Sequence, residues 1–501
     1  MKIAIRVDAS TQIGTGHFMR CLTLGDALKQ RGAQIRFVSL HLPEHLQDMV
    51  AAKGHQFMPL DSSAIEEIPG DLVHSHWLGT SQHLDAQESI QALSDHTWDW
   101  LVVDHYALDA RWESALRQTA KAILVIDDIA DRVHDCDALL DQNLYADMQT
   151  RYDGKVPVHS QLLLGPRYAL LRDEFRKLHE RVNPRTGTVK QILVFFGGMD
   201  INNYTCLALK ALAEIAVEGL HVNVVIGEQH PHRTEIETTC VAQGYVCHAQ
   251  TSRMAELMAA ADLAIGAGGS AAWERCCLGL PTLSLCIARN QRKQIADAAE
   301  AGLLYAPTSN DDLVGLLKNH IKALLENAPL LKLISNNAMK AVDGRGVMRV
   351  ADTLGVRVIE IRTANQNDSS KLFEWRNHTT IRSVSRNSGP IKWENHQAWF
   401  TAVLADKDRV LLIGHIGDEQ VGVVRFDKEG EVAEVSIYLV PESGFAGQGC
   451  SLLLSAEQWL RVNRPDIKRI RANVLSENEP SQRLFLGASY RPESIYYLKE
   501  L

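Results

Sequence analysis

No apolar run in the sequence approaches the length needed to span a bilayer, so a transmembrane protein is not expected. A signal peptide is not expected either, because MKIAIRVD meets Arg6 and Asp8 before an apolar stretch can develop. The nine cysteines form no CxxC pair, and an odd, scattered set points to reduced thiols rather than a disulfide framework. Basic residues are not in excess. The 52 Lys and Arg stand against 61 Asp and Glu, a formal charge of −9, which argues against nucleic acid or an anionic membrane as the main partner. The 20 histidines form no HExxH or similar cluster, and no group of carboxylates or histidines demands a divalent ion. Fixed-period repeats and low-complexity segments are missing too. What is present is an ordinary globular composition, 46% apolar and 23% charged over 501 residues. That length suggests about three domains. A soluble, cytoplasmic protein is expected.

The first 355 residues alternate short apolar runs with longer helical patterns. Candidate strands are 3–7, 35–38, 101–103, 123–126, 192–196, 222–226, 263–265 and 282–287. Many are near-continuous Ile, Val and Leu, as expected when helices cover both faces of a parallel sheet. The alternation restarts at Ile192, after a segment of mixed polarity over 156–188 that contains Pro157, Pro166 and Pro184. An α/β chain with two Rossmann-like lobes, 1–165 and 166–355, is predicted, and a cleft between lobes is a usual ligand site. Beyond residue 355 the grammar changes. Strands over 356–361, 409–416, 420–426 and 431–440 and helices over 369–377 and 393–404 predict an α+β domain, 356–501, with a hairpin turn at Gly417–Asp418.

Polar stations follow the parallel strands, where such sheets hold ligands. After the first strand, Gly14, Gly16 and His17 occupy a loop that opens a helix. The glycines permit positive φ and close backbone approach. The helix start favours an anion and disfavours a protonated imidazole, which suits a base at His17. Asp104-His105-Tyr106 and Asp127-Asp128 close two later strands. The aspartates are helix caps or site residues alike. Tyr106 is the better site candidate, with an apolar body and a hydrogen-bonding tip. In the second lobe, Phe196-Gly197-Gly198 leads to Asn202 and Asn203, and Gly268, Gly269 and Ser270 open a helix carrying Glu274. The amides there suit a diphosphate, and Glu274 is either a ribose contact or a solvated helix carboxylate. Asn290 and Gln291 precede a further helix.

The ordered motifs RVDASTQIGTGHFMRCLTLGDAL, VVDHY, IDDIADR, GAGGSAAWERCCLGLPTL and ARNQ resemble the UDP-2,4-diacetamido-2,4,6-trideoxy-β-L-altropyranose hydrolases of pseudaminic acid biosynthesis, over about residues 1–350. Those enzymes are similar to GT-B glycosyltransferases but pass the sugar to water. The resemblance implies that His17 is the base, that Gly14 and Gly16 shape its loop, and that Tyr106 and Asn290 touch the sugar. It also implies that Gly268, Gly269, Ser270 and Glu274 hold UDP, beside Gln291. The expected reaction is inverting and needs no metal.

In the third domain a strand runs into Gly444-Phe445-Ala446-Gly447-Gln448-Gly449-Cys450 and then a helix, a turn suited to a diphosphate. Ser476 and Glu479 make a plausible capping box. This order resembles the GNAT acetyltransferases over about 357–501. The resemblance implies acetyl-CoA as co-substrate, held by Gly444, Ala446, Gly447, Gly449 and Cys450 and by Asn478 and Ser481 of the distal helix. Two positions depart from that pattern: Gly444 stands where Arg or Gln is usual, and Phe485 where a tyrosine often acts as general acid. Proton transfer is therefore open among Glu434, Ser436, Tyr438 and Tyr490, each of which could equally be ordinary packing. Pathway logic suggests acetylation of the 4-amino group of UDP-4-amino-4,6-dideoxy-N-acetyl-β-L-altrosamine, the step before hydrolysis. The rivals are a GT-B glycosyltransferase whose GNAT domain serves another amine, and a non-catalytic UDP-sugar-binding module.

Overall fold

The computed structural model describes residues 1–10, 12–61, 71–215, 217–288, 291–308, 311–356, 359–385, 388–416, 418–443, 445, 448–475, 477–488 and 490–492. It divides into two compact units. One comprises Ile3–Asp26 and Ile35–Thr353, the other Leu354–Leu501 with Met1–Lys2 and Ala27–Gln34.

The larger unit is built on two α/β sheets. The first contains β1 (Lys2–Val7), β2 (Gln34–Ser39), β3 (Gln56–Pro59), β4 (Trp98–Asp104), β5 (Ala120–Ile126), β6 (Ala138–Asp141) and β7 (Gln161–Leu164), in the order β3-β2-β1-β4-β5-β6-β7. The pairs β2–β3, β1–β4, β4–β5, β5–β6 and β6–β7 are parallel. The central strands are apolar on both faces because helices pack on both; Leu101, Val103, Ile123 and Val125 share a core with Trp98 and Trp112. The second sheet contains β8 (Gln191–Phe195), β9 (His221–Ile226), β10 (Val246–Ala249), β11 (Leu263–Ala267) and β12 (Thr282–Leu285). All its pairs are parallel, in the order β10-β9-β8-β11-β12.

Strand order decides where the sites lie. In the first sheet the chain runs outward from β1 through β2 and β3, then returns to lay β4 beside β1. In the second it runs outward from β8 and returns at β11. The loops leaving the carboxyl ends of such a neighbouring pair diverge to opposite faces and leave a crevice. The polar stations after β1 and β4, and those after β8 and β11, therefore border one crevice each.

The segment expected as a crossover carries structure of its own. Strand β7 lies within it and closes the first sheet, and a helix follows at Asp173–His179. Strands β6 and β7 have four residues each, too short for periodicity to reveal. The smaller unit has a five-stranded sheet, β13 (Glu360–Thr363), β14 (Arg409–Ile416), β15 (Glu419–Glu429), β16 (Val432–Leu439) and β17 (Arg469–Ala472), in chain order. Its first three pairs are antiparallel and β16–β17 is parallel. The Gly449–Asn463 helix buries Leu452, Leu453 and Ala456 against Val424, Phe426 and Ala433. The distal helix, Glu479–Gly487, is capped by Asn478, whose Oδ1 accepts from Ser481 N at 3.1 Å. The expected cap Ser476 lies outside the described residues, as does Gly417 of the expected turn.

Candidate functional site

At the first crevice the loop after β1 closes on itself: Gly14 N donates to Ser10 O at 2.8 Å, and Ser10 Oγ accepts from Gln12 N and Ile13 N, both at 3.2 Å. Gly14 has φ +76°, and the space where a Cβ would stand at Gly14 or Gly16 is open. The Gly16–Gln30 helix then places His17 on its first turn. His17 Nδ1 lies 2.5 Å from Asp104 Oδ1, at the end of β4. Arg20 Nη2, which only donates, also lies 3.2 Å from Nδ1, but the much shorter contact is to a carboxylate that only accepts, so Nδ1 carries the proton and the basic lone pair sits on Nε2.

Asp104 is buried and also receives Arg20 Nε at 2.6 Å, Arg20 Nη2 at 2.7 Å and the Cys21 thiol at 3.4 Å. Burial opposes its ionisation, but Arg20 and then His17 outweigh burial and hold the carboxyl well below the usual range. Asp104 is thus a fixed negative charge against the imidazole. Arg20 Nη1 continues to Asp128 Oδ2 at 3.0 Å. The Tyr106 hydroxyl donates to Asp128 Oδ1, and burial, followed by Asp128, raises the phenol well above its ordinary pKa. The Tyr106 hydroxyl is thereby committed to Asp128, and its ring meets His17 edge-on at 4.6 Å between centroids. Trp77 stacks on Tyr106 at 5.5 Å, and His74 lies 5.3 Å from the same ring. An aromatic wall therefore stands beside His17. No helix follows Asp127 or Asp128 before β6, so neither is a helix cap: Asp127 Oδ2 accepts from Ala130 N at 2.9 Å and braces the turn, whereas Asp128 joins the network at His17.

At the second crevice Gly269 has φ +84° and is the N-cap of the Ser270–Cys277 helix, a conformation that favours glycine. A Cβ on Gly268 would lie 2.6 Å from Ile295 Cδ1 and 3.2 Å from Gln291 Oε1. Gln291 therefore stands beside the turn, and its Oε1 is buried without a hydrogen-bond partner among the described residues. Glu274 lies 3.6 Å from Arg172, and burial raises its pKa more than Arg172 lowers it. Asn290 lies outside the described residues. Asn203 Nδ2 donates to Glu235 Oε2 at 3.0 Å.

The smaller unit holds a cavity of about 440 Å³. It opens where β16 and β17 part. Their register ends at Val435↔Ala472, while β16 continues to Leu439 paired only with β15. Ser436, Ile437 and Tyr438 line one side and Asn473, Val474 and Leu475 the other. Backbone groups facing such a gap suit an extended ligand bearing amides. Glu434, Ser436 and Tyr438 line the cavity, as do Asn478, Ser481 and Phe485. Tyr490 instead donates to Glu457 at 2.7 Å. Arg376 and Arg425, which carry no motif in the sequence, add two cationic groups to the wall. Gly449 and Cys450 start the Gly449–Asn463 helix, whereas Gly444, Ala446 and Gly447 lie outside the described residues.

Among the described residues no group of three or more His, Cys, Asp or Glu is arranged to hold a metal ion, and no helix is long and apolar enough to cross a membrane.

Comparison with known proteins bears on both units. The chain is 22% identical to an uncharacterized protein of Methanocaldococcus jannaschii over 98% of its own length and 97% of the relative's. It is 25% identical to the UDP-2,4-diacetamido-2,4,6-trideoxy-beta-L-altropyranose hydrolase of Campylobacter jejuni, over 60% of this chain and 97% of that enzyme. It is also 25% identical to the spore coat polysaccharide biosynthesis protein SpsG of Bacillus subtilis, over 71% and 98%. A UDP-GlcNAc 2-epimerase structure from Neisseria meningitidis, bound to UDP-GlcNAc, covers 71% of this chain and 99% of that one at 12% identity, with a TM-score of 0.49. Residues 358–488 match the acetyltransferase (GNAT) domain family, so two Rossmann-like lobes are followed by a GNAT acetyltransferase domain.

Proposed function

We propose that the chain is a bifunctional nucleotide-sugar enzyme. Its GNAT domain (356–501) transfers acetyl from acetyl-CoA to the 4-amino group of a UDP-sugar. Its two Rossmann-like lobes (1–165 and 166–355) hydrolyse the resulting UDP-2,4-diacetamido-2,4,6-trideoxy-β-L-altropyranose to UDP and free sugar. The observation that carries the hydrolase half is the His17–Asp104 pair, 2.5 Å apart at a strand-order reversal.

In this reading Asp104 fixes the tautomer and steadies the imidazolium that forms. His17 Nε2 removes a proton from water as the oxygen attacks the anomeric carbon. The bond from that carbon to the UDP oxygen breaks on the opposite face, the configuration inverts, and UDP leaves with the electron pair. General-base help of this kind is worth about 10²–10⁴-fold. The amides at Gly269 and Ser270 and the start of the Ser270–Cys277 helix meet the departing diphosphate, with Gln291 and Glu274 beside it. Gly14 and Gly16 leave room at the base loop, and the aromatic wall of Tyr106 and Trp77 offers an apolar face to the deoxysugar. Asn290 is kept in this set on the sequence resemblance alone.

For the acetylation, the amine nitrogen attacks the thioester carbon, CoA leaves as thiolate, and one amine proton is lost. The gap between β16 and β17 suits the pantetheine amides, and Gly444, Ala446, Gly447, Gly449 and Cys450 suit the diphosphate of CoA. Asn478 and Ser481 border the same cavity. Arg376 and Arg425 favour an anionic acceptor, as a nucleotide-linked amine is.

The test is mass spectrometry of the purified protein with the 4-amino UDP-sugar and acetyl-CoA. CoA, UDP and the free diacetamido sugar are expected, without any added sugar acceptor. Acetylation with no UDP release would overturn the hydrolase half.

A further inference from the structure

The two sheets of the larger unit are tied together by the short segment that follows β6. Asn143 Oδ1 accepts from the indole Nε1 of Trp273 at 2.8 Å, and Asn143 Nδ2 donates to Asp128 Oδ2 at 3.1 Å. The amide has one possible orientation, because an indole N–H only donates and a carboxylate only accepts. Three residues on, Ala146 N donates to Asp297 Oδ2 at 2.9 Å and Asp147 lies 3.2 Å from Lys293, both on the Arg292–Glu300 helix. The segment is thus clasped by the helix that opens at Ser270 and by the helix that follows Gln291.

Trp273 sits near the start of the Ser270–Cys277 helix, next to Glu274, and is fully buried. Asp128 is braced on its other sides by Arg20 at 3.0 Å and by the Tyr106 hydroxyl, and Arg20 grips the Asp104 carboxylate that holds His17. A continuous series of polar contacts, buried from Trp273 as far as Asp104, therefore runs Trp273–Asn143–Asp128–Arg20–Asp104–His17. From Trp273 to Asp104 the groups that form the series are paired, so a displacement at one end strains or breaks a buried bond.

We propose that Asn143 and Trp273 are positioning residues that make the alignment of His17 depend on how the Ser270–Cys277 helix is seated. Nucleotide docking at that helix is then read at the base some five contacts away. This rests on the hydrolase reading above. It adds an explanation of how the lobe that would hold the leaving group controls the base on the other.

The proposal is tested with Trp273→Phe, which removes the indole donor but keeps a buried ring, and Asn143→Leu, which removes both amide contacts. Urea unfolding first establishes that each variant is folded. In steady-state UDP release each should lower kcat by about 10- to 100-fold with KM changed less than about threefold, the size expected when a catalytic group is misplaced by a fraction of an ångström. The double variant should be no worse than the poorer single one, because both cut the same series. A second readout needs no turnover: the ¹⁵N imidazole signals of His17 should move when UDP is added to the wild-type protein and stay still in Trp273→Phe. Additive losses, a rise in KM with unchanged kcat, or equal ¹⁵N responses in wild type and variant would overturn the coupling while leaving the hydrolase reading intact. Wild-type protein that neither binds nor releases UDP would overturn that reading, and the coupling with it.

Discussion

Asp104 receives three side chains on two oxygens, and that crowding determines what a single substitution does. In Asp104→Asn one oxygen becomes an NH₂ donor facing either Arg20 or His17, both of which donate in the wild type. The imidazole is then released from the tautomer that leaves Nε2 basic. We expect kcat for UDP release to fall about 10²–10⁴-fold with UDP affinity nearly unchanged, the pattern of a group that acts on the base rather than on the nucleotide. Steady-state kinetics and calorimetric UDP titration check this; unchanged kcat would remove Asp104 from the mechanism. At this scale the position of His17 at the first crevice was legible, because the sequence sets a glycine loop between a strand and a helix. Arg20 was not, since one arginine on an amphipathic helix carries no signal of the carboxylates folded against it. His74 and Trp77 sit in a stretch with no periodicity, and only the fold brings them to Tyr106. Asn143 stands two residues beyond the end of β6, and a strand of four residues leaves no periodic signal to mark that position.

At the scale of elements, the central apolar strands declare themselves, and of the short strands β12 does so while β3, β6, β7 and β10 do not. The apolar runs that became β4, β5 and β11 must be buried on both faces, which leaves few alternatives. Strands β3, β6, β7 and β10 gain their pairing from neighbours rather than from their own sequence. The tie between the turn after β5 and the Ala110–Leu116 helix is likewise invisible in sequence. His134 Nδ1 lies 2.7 Å from Glu113 Oε1 on that helix, and its Nε2 lies 3.9 Å from Asp127 Oδ2, all three residues buried. Burial disfavours the imidazolium, but Asp127 and Glu113 outweigh it and raise the histidine to about 9. A raised folded-state value means the cation stabilises the fold fully below the unfolded value of about 6.5 and that this contribution is lost as pH climbs through about 9. Urea unfolding at about pH 6.5 and about pH 9.5 should show the wild type losing on the order of 3 kcal/mol relative to His134→Gln, since each tenfold gain in proton affinity on folding is worth about 1.4 kcal/mol. Parallel pH dependence in the two proteins would show that the pair contributes nothing.

For the whole molecule, the change of grammar near residue 356 was readable because parallel and antiparallel sheets leave different patterns, and the archaeal relative spans both units in one chain. The two sets of chemical groups do not overlap. His17, Arg20, Asp104, Tyr106, Asp128, Asn143 and Trp273 all belong to the larger unit, whereas the 440 Å³ cavity is lined by residues of the smaller one. The proposed reactions also have a required order. In the proposed reading, hydrolysis of the 4-amino compound would separate the amine from its nucleotide, so acetylation comes first for both steps to use one substrate. His17→Ala should therefore be a selective lesion. Given the 4-amino UDP-sugar and acetyl-CoA, it should release CoA at the wild-type rate and accumulate the acetylated UDP-sugar, with UDP formation down at least about 10²-fold. Arg376→Ala should do the reverse. It should lower acetylation of the UDP-linked amine while pre-acetylated UDP-sugar is hydrolysed at the wild-type rate. Quantifying CoA by thiol titration and UDP by chromatography in the same time course separates the two. If His17→Ala lost both activities while remaining folded, the units would not be chemically independent, and the assignment of one reaction to each would be wrong.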